Sequence, residues 1–322
     1  MIKFIDLCAG IGGGRLGLEK NGFQCVGFSE ILPTSIKAYK TFFNTENEKD
    51  LGDLTKLKKE DIPDCDMLIA GFPCQAFSIV GLRKGFEDER GQIIFYIAKI
   101  LKEKNIKYFM LENVKGLVHH NKGETLEAIL TLLEETGYDV YWKVLKSNDY
   151  GLPQKRERIY FVGIRRDLPS TSYIFPKPKE EQANLKDFLI DTDEKYVYDN
   201  YDWFNRYLIN KYNQGKYKLE DILKEDYLII DTRQSDIRFY RGYIPTLRTG
   251  RSGLLYVRNG QIRKISGRES LLLQGFGLDI YNKAGNFTNG KLLEQTGNAM
   301  SVNVIEEVAK ELKSVMIKNG DV

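Results

Sequence analysis

The 322-residue sequence contains only two histidines, the adjacent His119 and His120. Its four cysteines, Cys8, Cys25, Cys65 and Cys74, include no Cys-x-x-Cys pair. Neither a structural zinc site nor a disulfide framework is expected from that set, so no metal is assigned. No apolar run reaches the roughly 20 residues that a membrane span requires. The opening Met1–Leu7 reads as a strand, too short and wrongly flanked for a signal peptide. These absences imply a reducing, cytoplasmic setting without a membrane partner. A GxxxxGK[ST] loop is also missing, which argues against a nucleoside triphosphate as ligand. Charge of one sign is barely in excess: 48 Lys and Arg against 45 Asp and Glu leave +3. A nucleic-acid surface would therefore have to come from local clustering. No internal repeat or low-complexity tract is found.

What is present is enough apolar sequence, 42% of residues, to bury a core in one large domain and a smaller one. Apolar runs at Phe4–Leu7, Cys25–Phe28, Met67–Ala70, Tyr108–Leu111 and Ile159–Ile164 are predicted strands, separated by helical patterns. Around Glu124–Glu135, Leu126, Ile129, Leu130 and Leu133 fall on one helical face, and Gly137 is placed to end that helix. This alternation predicts an α/β fold, Rossmann-like, with a mostly parallel sheet and helices on both faces. Residues 1–186 are assigned to that domain. After Arg166 the composition shifts to Tyr, Lys, Asp and Asn, with Pro176–Lys179 as a linker and a smaller domain at 187–294. Its tyrosines between Tyr196 and Tyr212 are expected to pack a core. Residues 295–322 return to the first domain, with Val304, Ile305, Val308, Leu312 and Val315 on one helical face.

The strand at Met67–Ala70 runs into Gly71-Phe72-Pro73-Cys74. That places a thiol at the carboxyl edge of the sheet, where open α/β folds bind ligands. Pro73 fixes its own φ and biases Phe72 toward an extended shape, so the backbone directs the sulfur. The first strand runs into Cys8-Ala9-Gly10-Ile11-Gly12-Gly13-Gly14, where glycines let a ligand approach and leave amides free. Such a turn suits NAD or tight packing equally well. Glu30 ends the second strand and is either a ribose-hydroxyl acceptor or a solvated loop acid. Asp53 is placed to accept from an adenine amino group.

With these motifs in order, the chain resembles the DNA (cytosine-5)-methyltransferases, close to the small bacterial HhaI-type restriction–modification enzymes. The matching blocks are Asp6–Gly13, Gly71–Ser78, Glu112-Asn113-Val114, Gln154–Arg158, Arg268-Glu269 with Gln274-Gly275-Phe276, and Gly297-Asn298-Ala299. The resemblance implies S-adenosyl-L-methionine as cofactor, double-stranded DNA as substrate, a monomer, and a cognate endonuclease acting on the same site. It implies Cys74 as the nucleophile adding to carbon 6 of an everted cytosine. Glu112 is then the hydrogen-bond donor at N3, which requires a carboxyl pKa raised by burial. Arg158, and less directly Arg156, are assigned to the cytosine ring; Arg156 equally suits a solvated or phosphate-contacting role. The cofactor set is Cys8, Ala9, Gly10, Ile11, Gly13, Glu30, Ile31, Asp53, Leu54, Pro73, Asn298 and Ala299. Cys8 stands where the family usually has Phe, and Ile31 where it often has an aromatic, which reduces aromatic contact with adenosine.

Target choice is expected from the smaller domain, through Arg233, Gln234, Ser235, Arg238, Arg248 and Arg251. Residues Ser78–Gly91 read as a lid, with Ser78, Arg83 and Lys84 on the DNA. Three alternatives compete. A tRNA cytosine-5 methyltransferase would use the same catalytic residues, a silent DNA-binding regulator would not need both Cys74 and Glu112, and an NAD oxidoreductase leaves Pro73-Cys74-Gln75 without a role.

Overall fold

The computed structural model describes residues 1–73, 93–250 and 253–322. They divide into two compact units, residues 1–146, 157–178 and 299–322 in one, and 147–156 with 179–298 in the other. The boundaries expected at 187 and 294 thus sit beside observed ones at 179 and 298, and the excursion 147–156 joins the second unit.

The strands in chain order begin with β1 (Lys3–Leu7), β2 (Gln24–Ser29), β3 (Lys49–Asp50), β4 (Met67–Gly71), β5 (Tyr108–Val114) and β6 (Tyr138–Lys146). β7 (Gln154–Lys155) lies in the excursion, and β8 (Glu157–Arg165) follows it. The first unit holds a seven-stranded sheet in the order β3-β2-β1-β4-β5-β8-β6. Its first five strands are parallel, while β8 runs antiparallel to both β5 and β6. β4 is continuously apolar and fully buried from Met67 to Ala70, as a strand covered on both faces must be. On one face Ile5, Leu7, Leu68, Ala70, Phe109 and Leu111 share a core with Ile97 and Leu101 from a helix at Ile93–Lys104, and with Ile129 and Leu133 from another at Glu124–Glu135. On the other face the helix Gly13–Glu19 lies so close that a Cβ on Gly14 would meet Ile69 Cδ1 at 2.9 Å.

From β1 the chain moves outward to β2 and β3, then returns past β1 to β4 on its other side. The order reverses between β1 and β4, the kind of switch point at whose carboxyl edge open α/β sheets bind ligands. The register pairs Leu7 with both Ser29 and Ala70, and Gly71 with Glu112. Four strand ends therefore finish side by side. The edge strand β6 escaped the sequence reading because a mixed solvent-exposed edge interrupts its alternation.

The second unit contains β9 (Ile229–Asp231), β10 (Arg238–Tyr240), β11 (Ile244–Pro245), β12 (Leu254–Arg258) and β13 (Gln261–Lys264). Its antiparallel sheet has the order β10-β9-β12-β13, and β11 pairs with β7. Alternate residues separate its faces: Ile229, Leu254 and Tyr256 pack with Leu185 and Leu189, whereas Ile230, Leu255 and Val257 pack with Phe204 and Leu208. The expected aromatic core is only part of the outcome. Tyr196 and Phe204 are buried, but Trp203 and Tyr212 are exposed.

Candidate active site

The turn after β1 is wound through left-handed backbone at Cys8 (φ 52°), Gly10 (φ 57°) and Gly12 (φ 85°). Its amides are tied to the end of β2. Ala9 N–H donates to the Ser29 carbonyl at 3.0 Å, and Gly10 N–H to Glu30 Oε2 at 2.8 Å. Glu30 Oε1 accepts from the amides of Ile31 and Leu32, each at 2.8 Å. A carboxylate offers about four lone-pair sites; these three bonds leave room for one more. Glu30 is thus chiefly the brace that joins two strand ends.

Around that brace, Ile31 is 66% exposed and Leu32 52%, an apolar shelf on an otherwise ordinary surface. Among the described residues, none lies within 4 Å of where a Cβ on Gly10 would project. Ala9, Ile11, Leu54 and Ala299 are buried. Gly13 is held by packing: a Cβ there would stand 2.4 Å from the Met300 carbonyl oxygen. Asp53 caps a short turn, its Oδ1 accepting from Thr55 N–H at 3.0 Å and Thr55 Oγ1 at 2.7 Å. Those bonds hold its carboxyl below the usual carboxylate range. Burial, with help from the nearby carboxylates of Glu30 and Asp6, pushes the Cys8 thiol up to about 12, so it remains protonated.

Behind the turn lies Asp6, fully buried, with Oδ2 accepting from Tyr39 Oη at 3.2 Å and Oδ1 without a hydrogen-bond partner among the described residues. Burial raises its pKa to about 8, although Arg15 and Tyr39 both act to lower it. Arg15 is itself held by Glu48 and Glu19.

The ends of β4 and β5 form the other half of the edge. Asn113, 2% exposed, donates from Nδ2 to the Phe72 carbonyl at 3.0 Å and accepts from Val114 N–H at 2.8 Å. It ties the chain leading into Cys74 to the end of β5, a role that the sequence reading did not assign to it. Glu112 is also buried, and Arg158 Nε approaches its Oε1 at 3.1 Å. β-Pairing brings this about, because Arg158 on β8 lies opposite Val114 on β5. Pro73 is exposed. Cys74, Ser78, Arg83, Lys84 and Arg251 lie outside the described residues, as does the whole of the expected lid.

An acid ion-paired to an arginine beside a Pro-Cys strand end, with a braced glycine turn two strands away, can be compared with known proteins. Residues 2–314 match the family model described as C-5 cytosine-specific DNA methylase. The chain belongs to that family. This methylase is 37% identical over 320 residues to the type II methyltransferase M.HhaI of Haemophilus parahaemolyticus, covering 97% of this chain and 94% of the relative. It is 40% identical over 321 residues to M.NgoBI of Neisseria gonorrhoeae, covering 96% and 92%. The crystal structure of S. pombe Dnmt2 methyltransferase superimposes with a TM-score of 0.70 at 19% identity, covering 98% of this chain and 99% of that one, a likeness of fold. The α/β architecture and the assignment as a DNA (cytosine-5-)-methyltransferase follow from these matches.

Several motif residues of the methylase turn out to be braces of the second unit. Arg156, 2% exposed, donates from one terminal nitrogen to the carbonyls of Gly297 at 3.0 Å and Leu247 at 3.3 Å. These bonds tie two stretches of main chain in the second unit together. Gln154 bridges the Leu273 carbonyl and the Leu247 amide, each at 2.9 Å. Glu269 closes a capping box with Ser266 and also accepts from Asp191 N–H and Tyr256 Oη. Asn298 accepts from Thr249 Oγ1 at 2.7 Å within the same unit.

Among the expected DNA readers, Gln234, Ser235, Arg238 and Arg248 are exposed. Arg233 spends three of its five N–H donors within the protein. Its Nε and one terminal nitrogen grip Asp231 at 2.8 Å each, and the other nitrogen donates to the Thr246 carbonyl at 3.1 Å.

Proposed function

We propose that this methylase transfers a methyl group from S-adenosyl-L-methionine to carbon 5 of a specific cytosine in double-stranded DNA, with Cys74 as the nucleophile, and that it protects DNA in a cytoplasmic restriction–modification system. The observation that supports this most is the Glu112–Arg158 pair at the end of β5, in register with the strand end that leads to Cys74.

Carbon 5 of cytosine is a weak nucleophile, so the ring must first be activated. The Cys74 thiolate forms a carbon–sulfur bond at carbon 6, and the ring becomes an enamine with electron density at carbon 5. Glu112, in its protonated form, donates at N3 where negative charge develops, and Arg158, with one terminal nitrogen donating to the Glu157 carbonyl at 2.8 Å, holds Glu112 in place and keeps a donor for the ring oxygen O2. Once carbon 5 has accepted the methyl group, loss of its proton to a base allows the carbon–sulfur bond to break, which releases the Cys74 thiolate as N3 returns its proton to Glu112. None of this is possible within a stacked duplex, so the target base is flipped out.

S-adenosyl-L-methionine, when bound, supplies an electrophilic methyl group. The residues present suit it: the open face of Gly10, the remaining acceptor site on Glu30, the apolar shelf of Ile31 and Leu32, and the Asp53 carboxylate. No observation favours tRNA over DNA. The testing experiment uses duplex DNA carrying 5-fluorocytosine at the target, located by bisulfite sequencing of DNA from expressing cells. A covalent adduct is expected because fluorine cannot leave as a proton does; its absence on a verified target overturns the mechanism.

A further inference from the structure

In the second unit the helix Tyr201–Leu208 ends in a tight turn that lies against the segment after β9, leaving a hollow of about 560 Å³. One wall is formed by Asn210, Lys211 and Tyr212, the other by Thr232, Gln234 and Ser235. Lys211, Tyr212, Gln234 and Ser235 are exposed, so the walls offer an ammonium, a phenol, an amide and a hydroxyl. Among the described residues no carboxylate lines the hollow. Arg233 contributes to it but is already neutralised by Asp231, whereas the Lys211 ammonium has the Tyr212 ring as its neighbour at 4.9 Å. An anionic occupant is the one this chemistry fits.

The hollow is also rigid before anything enters it. Asn213, 1% exposed, donates from Nδ2 to the carbonyls of Tyr207 (2.9 Å) and Ser235 (3.3 Å) and accepts from Ile237 N–H at 2.9 Å. Asn210 donates to the Ser235 carbonyl at 3.0 Å, and Tyr207 Oη to the Gln234 carbonyl at 2.6 Å. The main chain of Gln234 and Ser235 is thus pinned from below while their side chains face outward. Gln234 also borders a second hollow of about 250 Å³, lined by the Arg233–Asp231 pair and by Arg238, which is paired with Asp236 at 3.3 Å, so that Lys155 and Arg248 supply its excess positive charge. The two hollows make one cationic track, with the pinned segment at its middle.

We propose that Lys211 and Tyr212 form a phosphate-contact wall for duplex DNA flanking the site that Gln234 and Ser235 read. The inference rests on the DNA reading given above. Phosphate contacts set the register of a protein on the duplex, and base contacts then specify sequence. A preformed wall beside a preformed reading segment delivers both without ordering cost at the moment of binding.

The test is the salt dependence of binding by the full chain, using a labelled duplex that carries the methylated site. Each phosphate contact contributes about 0.9 to the slope of log affinity against log salt. Lys211→Ala is therefore expected to lower the slope by about 0.9, so that its deficit against wild type shrinks about 3.5-fold between 50 and 200 mM salt. Lys318→Ala, an exposed lysine of the first unit, controls for the loss of net charge and is expected to keep the slope. An unchanged slope in Lys211→Ala, with wild type methylating the same duplex, overturns this inference alone. A wild type that neither methylates nor is trapped on duplex DNA overturns the reading beneath it as well.

Discussion

Asp6→Asn tests the buried acid behind the glycine turn. In the folded protein Asp6 titrates at about 8, against an ordinary 3.8, because burial disfavours the carboxylate more than Arg15 and Tyr39 favour it. Between those values the unfolded chain is ionised at this position and the folded chain is protonated. The unfolded state binds fewer protons, so stability falls as pH rises through this window. Each unit of pKa difference corresponds to about 1.4 kcal/mol, so the contribution lost is about 4 kcal/mol by pH 7 and approaches 6 kcal/mol above pH 8. Against a total of roughly 5–15 kcal/mol for a typical domain, that is a large share. Asparagine cannot ionise, and its amide costs about 1–3 kcal/mol if an amide hydrogen faces the partnerless position of Oδ1. The variant is therefore expected to be less stable than wild type near pH 4 and more stable above pH 7. Urea unfolding from pH 4 to 9 measures it, and the difference between the proteins cancels other shifted acids such as Glu48 and Glu269. Parallel pH profiles for the two proteins would refute the reasoning.

Gly13→Ala drives a methyl group against the Met300 carbonyl at 2.4 Å, where main chain faces main chain. A loss of about 1–3 kcal/mol is expected by urea unfolding. Glu30→Gln leaves one carbonyl oxygen to serve three amides now shared by two carboxylate oxygens. Losing a charge-assisted bond costs about 1.5–3 kcal/mol; weaker uptake of labelled S-adenosylmethionine is the readout, and unaltered uptake would remove Glu30 from the cradle. Glu112→Gln is expected to bind DNA but turn over about 100- to 10,000-fold more slowly. Single-turnover methyl transfer measures that loss, and a variant with full rate would exclude Glu112 as the acid.

The five strands predicted from apolar runs all lie in the seven-stranded sheet, because buried strands must be apolar whatever their order. The short strands of the second unit did not announce themselves. Three to five residues give too little alternation, and their partners lie far along the chain. The glycine turn, Glu30 and Glu112 were visible as motif positions at strand ends. Asn113 stood in plain view within its motif, yet its bond to Phe72 depends on β4 and β5 being neighbours.

Residue types and their order were sufficient for the family, the α/β class and the strand-edge location of Glu112 and the glycine turn, because these depend on local patterns and on chemistry that few side chains can perform. Tertiary structure alone decided which partners the charged residues take. Arg158 and Arg156 are two positions apart in the chain, but one pairs with Glu112 while the other is directed at main-chain carbonyls of the second unit. Arg233 is gripped by Asp231, two positions before it in the chain. A guanidinium goes to whichever acceptors the fold places within about 3 Å, and that placement is decided by contacts between residues distant in sequence.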